Sequence, residues 1–76
     1  MKVSLKGIRS IKITGEFIKL DALLKYAQIA ATGGEAKMLI QGGNIFVNGE
    51  LCLKRGKKIR YGDIIRYHND VIRVCI

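Results

Sequence analysis

The spacing of apolar residues changes twice along the chain. In residues 2–14, KVSLKGIRSIKIT, apolar positions alternate in part: Val3 and Leu5 point one way, then Ile11 and Ile13. This predicts an N-terminal strand or two, broken near Gly7. From Leu20 the period lengthens. Leu20, Leu23, Leu24, Ala27 and Ala31 fall on one helical face, while Asp21, Lys25 and Gln28 fall on the wet side. A first helix is predicted over 20–30, with Asp21 suited to the positive end of its dipole. Thr32 followed by Glu35 has the form of a capping box, in which the hydroxyl accepts from an orphan N–H and the carboxylate reaches back. A second helix then covers 34–41, with Ala36, Leu39 and Ile40 inward and Lys37 and Gln41 sharing the outer face. Gly33 and Gly34 are expected to shape the tight turn between helices, and Gly42 or Gly43 to stop the second one.

Beyond the helices the period becomes that of strands. IFV-NG-ELCL carries the strongest short hairpin signal, Asn48-Gly49 between β-prone residues. YGD (residues 61–63) reads as a turn, and IIRYH with VIRVCI as a terminal hairpin around Asn69-Asp70. Phe17 and Phe46 are expected in the core. The order strand, two helices, several strands gives an α+β domain, with the helices packed on one side of a small, mostly antiparallel sheet.

The chain has 76 residues, with 49% hydrophobic and 26% charged, which is the composition of one folded domain spanning 1–76. No apolar run approaches the roughly 20 residues that cross a membrane, and the N-terminus has no continuous apolar signal segment. A soluble, cytoplasmic protein without a membrane partner is expected. Cys52 and Cys75 lie in apolar, alternating surroundings with no histidine at metal-ligand spacing, and read as buried structural thiols. His68, the one histidine, precedes a turn. No nucleophile, base and orienter come together. Gly33-Gly34 lacks the further glycines and the Lys-Ser/Thr of a phosphate loop. The reading is therefore of a protein that is not an enzyme, with no catalytic residues, metal, cofactor or small-molecule substrate.

Charge changes the picture most. Fourteen Lys and Arg face six Asp and Glu, for a net +8. Five of the seven residues at 54–60 are basic: Lys54, Arg55, Lys57, Lys58 and Arg60. Mutual repulsion there costs stability, which points to a polyanionic partner. Gly56 within the block would let backbone approach a ligand. Lys19, Lys25 and Lys37, with Gln41, lie at the start or outer faces of the helices, so one folded face can gather them with Lys54, Arg55, Lys57 and Lys58. With only five aromatics as stacking platforms, a structured backbone is the expected target rather than a single strand. Tyr61 could stack on a base or simply pack a turn.

The run FIKLDALLKYAQIAATGGEAKMLIQGGNIFVNGELCLKRGKKIRYGDII, residues 17–65, resembles the S4-type RNA-binding domain family. KLD stands where the family commonly has Arg-Leu-Asp. EAKMLIQGGNIFVNG matches its second helix and the following Val-Asn-Gly turn, and YGD its usual Pro-Gly-Asp. GGEAK with VNGE and RGKK is most similar to the small stand-alone YaaA-like members. The resemblance implies an S4-like (alpha-L) fold, with Lys19, Lys37 and the basic loop meeting phosphates and Asn48 serving the hairpin turn. Tyr61 replaces the common Pro, and Gly33-Gly34 stands where many members carry Ser-Arg.

The expectation is a non-catalytic protein that binds structured RNA, by resemblance ribosomal RNA, a ribosomal subunit or an assembly intermediate. One alternative is a ribosome-associated protein adaptor using the apolar C-terminal strand at 71–76. A DNA-binding module is weaker still, since the second helix offers only Lys37 and Gln41 for reading bases.

Overall fold

The two periods resolve into nine elements in the computed structural model, which describes residues 8–75. They are β1 (Ile8–Lys12), β2 (Ile18–Lys19), α1 (Leu20–Tyr26), α2 (Gly33–Gln41), β3 (Ile45–Val47), β4 (Glu50–Leu51), β5 (Lys58–Ile59), β6 (Ile64–Tyr67) and β7 (Asp70–Cys75). Val3, Leu5 and the break near Gly7 lie outside the described residues. Five strands form one sheet in the order β1-β7-β6-β3-β4, while β2 and β5 pair as a separate antiparallel ribbon. Only β1 and β7 run parallel, so the sheet is mostly antiparallel and the architecture is α+β.

Strand alternation sends Ile45, Val47, Ile65, Ile72 and Val74 to the inner face, where they join Leu20, Leu23, Leu24, Ala36 and Ile40 of the helix pair in one core. Ile59, between two charged neighbours, is also fully buried. Both phenylalanines depart from the core assignment. Phe17 remains 36% exposed because its neighbour Ile18 takes the inward position of the ribbon, and Phe46 is half-buried on the outer sheet face under Arg66.

The first helix is shorter than its apolar period suggests. It ends at Tyr26, and Gln28 adopts a left-handed φ of 62°. The Gln28 N–H donates to Lys25 O (3.0 Å) and the Ile29 N–H to Leu24 O (2.9 Å), which is the Schellman pattern closed by a glutamine. Ala30 is therefore the buried residue and Ala31 is exposed. The glycine pair does not shape this connection. Gly33 and Gly34 are the first residues of α2, neither has a positive φ, and a Cβ at either would be uncrowded. Thr32 Oγ1 accepts from the Glu35 N–H at 3.1 Å, and the Glu35 carboxylate accepts from Ala31 rather than from the cap residue itself. Gly43, with a φ of 83°, closes α2 by the same C-terminal pattern.

The β3–β4 turn falls on Asn48-Gly49 as expected, both residues carrying positive φ. Asn48 does more than turn. Its side-chain amide donates to Asp63 Oδ1 (3.0 Å), and its Oδ1 accepts from the Ile64 N–H (2.9 Å). The terminal hairpin turns at His68-Asn69, one residue earlier than predicted. Asp70 instead pairs with Tyr67 in the strand, where Arg9 grips its carboxylate through two hydrogen bonds.

Two stability changes follow, both measured by urea unfolding. Gln28→Gly relieves the left-handed strain and raises stability by up to about 1 kcal/mol, whereas Gln28→Ala leaves the strain in place. Asn48→Ala loses both side-chain bonds and costs about 1–3 kcal/mol, with Asn48→Gly falling between it and the parent because only the backbone strain is relieved.

Candidate nucleic-acid interface

The basic loop is attached to the first helix by its backbone. Lys19, at the N-cap of α1, makes no side-chain cap. The Leu20 N–H instead donates to Lys57 O (2.8 Å) and the Asp21 N–H to Arg55 O (3.1 Å). Helix N-terminal N–H groups have no partner within the helix, so loop carbonyls satisfy them and add negative partial charge at the positive end of the dipole. The Asp21 carboxylate accepts from the Ala22 N–H (2.7 Å). A turn from Lys54 to Lys57, closed by the Lys57 N–H donating to Lys54 O (3.2 Å), presents the two carbonyls. Gly56 in that turn has no positive φ and open space around it, so the conformation of the loop does not require glycine.

With the loop backbone turned inward, its side chains turn out. Lys54, Arg55, Lys57 and Lys58 are all exposed. The β2–β5 ribbon sets Lys19 directly opposite Lys58 and buries Ile59 beneath. Like charges directly across a strand pair destabilise it. Among the described residues the one ion pair is Arg9–Asp70, so no cation of this cluster is held in an ion pair, although Glu50 lines the same cleft as Lys54 and Lys57. Arg60 extends the cluster and had no place among the sequence-derived site residues. Its guanidinium lies 5.8 Å from the centroid of Phe17, and the Lys58 ammonium 4.9 Å. The apolar look of Phe17 concealed this; the available signal was that Phe17 and Ile18 are adjacent, so only one of them can face inward in a strand.

The remaining site residues are placed differently. Lys25 sits in the last turn of α1 and lines the cleft between helices with Gln28 and Glu35, away from the loop at the other end. Lys37 and Gln41 are exposed on α2. Tyr61 has a turn-packing role: its hydroxyl donates to Gly15 O at 2.6 Å. No three His, Cys, Asp or Glu among the described residues gather at metal-binding distance. Cys52 is buried, Cys75 half-buried, and both are free thiols. His68 occupies the terminal turn with its ring 4.3 Å from that of Tyr67. No helix of the described residues is long and apolar enough to cross a membrane.

Comparison with known proteins agrees with this architecture. The chain is 36% identical over 55 residues to the probable ribosome maturation protein RlbA of Bacillus subtilis (strain 168), covering 72% of this chain and 78% of that protein. Its fold matches the solution structure of YbcJ from E. coli, described as revealing an αL motif involved in RNA binding, with a TM-score of 0.72 at 21% identity. That match covers 100% of this chain and 98% of YbcJ. The S4 domain family model matches residues 11–75, and the chain belongs to that family.

Proposed function

We propose that this chain is a cytoplasmic, non-catalytic RNA-binding module whose target is folded RNA, most simply ribosomal RNA or a ribosome assembly intermediate. The observation that carries the reading is the basic loop, held by its carbonyls against α1 while its cationic side chains stand exposed and outside any ion pair. A cluster maintained against its own repulsion suits a partner that supplies the opposite charge. The mechanism is counterion release as Lys and Arg neutralise phosphates, with the rigid loop–helix junction setting orientation. Lys19, Lys54, Arg55, Lys57 and Lys58 form the central contact, and Lys25, Lys37 and Gln41 are outlying contacts on the helices. The S4 family, the RNA-binding description of YbcJ and the ribosome-maturation name of the Bacillus relative support the reading. Of the strand that the adaptor alternative would use, Ile72 and Val74 are buried in the core, while Val71 and Cys75 are half-buried, so the basic loop offers the more exposed surface.

The test is fluorescence anisotropy with folded ribosomal RNA fragments and length-matched DNA over a range of salt. The logarithm of affinity for RNA should fall linearly with the logarithm of salt. Lys57→Glu/Lys58→Glu should weaken binding at least roughly tenfold and reduce the slope by about two, one for each phosphate no longer neutralised. Equal affinity for RNA and DNA, or binding indifferent to salt, overturns the reading. Cross-linking in cells with the same pair of proteins then identifies the RNA through the sites that disappear in the variant.

A further inference from the structure

Three of the five aromatic residues, Phe17, Tyr26 and Tyr61, are exposed, and two of them share one place on the surface. Phe17 is 36% and Tyr26 61% exposed, and both line one open groove of about 400 Å³. Ile18 and Ala22 supply further apolar lining, Lys12 and Thr14 contribute polar groups, and no described residue lining it carries a carboxylate. The cationic cluster reaches the same place. Lys58 on β5 and Arg60 just beyond it lie around the ring of Phe17, at 4.9 and 5.8 Å from its centroid. One ring thus belongs both to the apolar groove and to the proposed phosphate-binding face.

We propose that an unpaired nucleobase of the bound RNA enters this groove and stacks against its aromatic wall, while Lys58 and Arg60 hold the adjoining phosphates. A nucleotide has the matching chemistry: a flat π face, a polar edge that Thr14 and Lys12 can meet, and a negative charge attached to the sugar. Exposed aromatics beside cations are the arrangement by which proteins hold single-stranded nucleotides. Bases within a duplex have their faces covered by their neighbours, so the groove selects a looped-out or bulged residue. The inference rests on the RNA-binding reading and adds to it. The cations supply affinity for any folded RNA backbone, and the groove favours RNA that presents an unpaired nucleotide.

Two RNA hairpins with identical stems test it, one fully paired and one carrying a bulged 2-aminopurine nucleotide. The parent protein should bind the bulged hairpin more tightly and quench its fluorescence. Phe17→Leu keeps an apolar side chain but removes the π face. It should weaken binding of the bulged hairpin by about tenfold more than binding of the paired hairpin, and abolish the quenching. Phe17→Tyr should retain both the preference and the quenching. Equal affinity of the parent for the two hairpins, or an equal loss on both with Phe17→Leu, overturns the stacking proposal while leaving the RNA-binding reading in place. Absence of salt-dependent binding to either hairpin overturns both.

Discussion

The loop carbonyls that cap α1 are the contact on which the rest of the surface depends. Two helix N–H groups, on Leu20 and Asp21, take their partners from Lys57 and Arg55, nearly forty residues along the chain. Each such bond contributes about 0.5–1.5 kcal/mol net, but the geometry matters more than the sum. It brings a loop with strong internal repulsion to one helix end, and Ile59 anchors it by burying fully behind Lys58 and Arg60. Because the backbone faces the helix, every cation in the loop must face water. The charged surface is therefore a consequence of how α1 is capped, and a side-chain cap at residue 19 would have removed one reason for the loop to dock.

A second set of contacts closes the opposite side. β1 lies parallel to β7, so the start of the described chain pairs with its end. Arg9 extends from β1 to hold Asp70 by two hydrogen bonds, and its remaining nitrogen donates to Ala27 O (3.1 Å) at the end of α1. With side chains 41% and 21% exposed, the ion pair itself adds at most about 1 kcal/mol. Its contribution is positional: one guanidinium joins the parallel strand, the terminal hairpin and the C-terminus of the helix. Asn48 and Asp63 connect two turns in a similar way on the other edge of the sheet.

What could be read from the chain was what local physics determines. Helical period, the Thr32–Glu35 cap and the Asn48-Gly49 turn each express themselves within a few residues, and each was legible. The early end of α1 was not, because Gln28 adopts a conformation for which glycine is the usual signal, and the apolar period in the sequence continues past the break to Ala31. Gly33-Gly34 misled for the complementary reason: glycine permits an unusual turn without requiring one. Phe17 was misplaced because a lone aromatic reads as core unless the pairing of Ile18 with Ile59 is known, and that pairing spans forty residues. The cluster of charge was legible, but its attachment to α1 was not, since backbone carbonyls leave no mark in side-chain identity.

The placement of Lys19 against Lys58 shows how stability and binding oppose each other in this fold. Cross-strand like charges raise the free energy of the unbound protein, and the penalty is largest at low salt, where screening is weakest. Phosphate contacts respond to salt in the reverse sense, strengthening as salt falls. On the RNA-binding reading proposed above, a bound phosphate removes the repulsion and supplies attraction at once, so the ribbon gains from binding twice. Replacing the loop cations with neutral residues would relieve the free protein and weaken the complex together. The Lys58 ammonium also rests 4.9 Å from the centroid of Phe17, so an aromatic face offsets part of the repulsion in the free ribbon. The register of Lys19 and Lys58 in one ribbon ties the electrostatic argument to the fold.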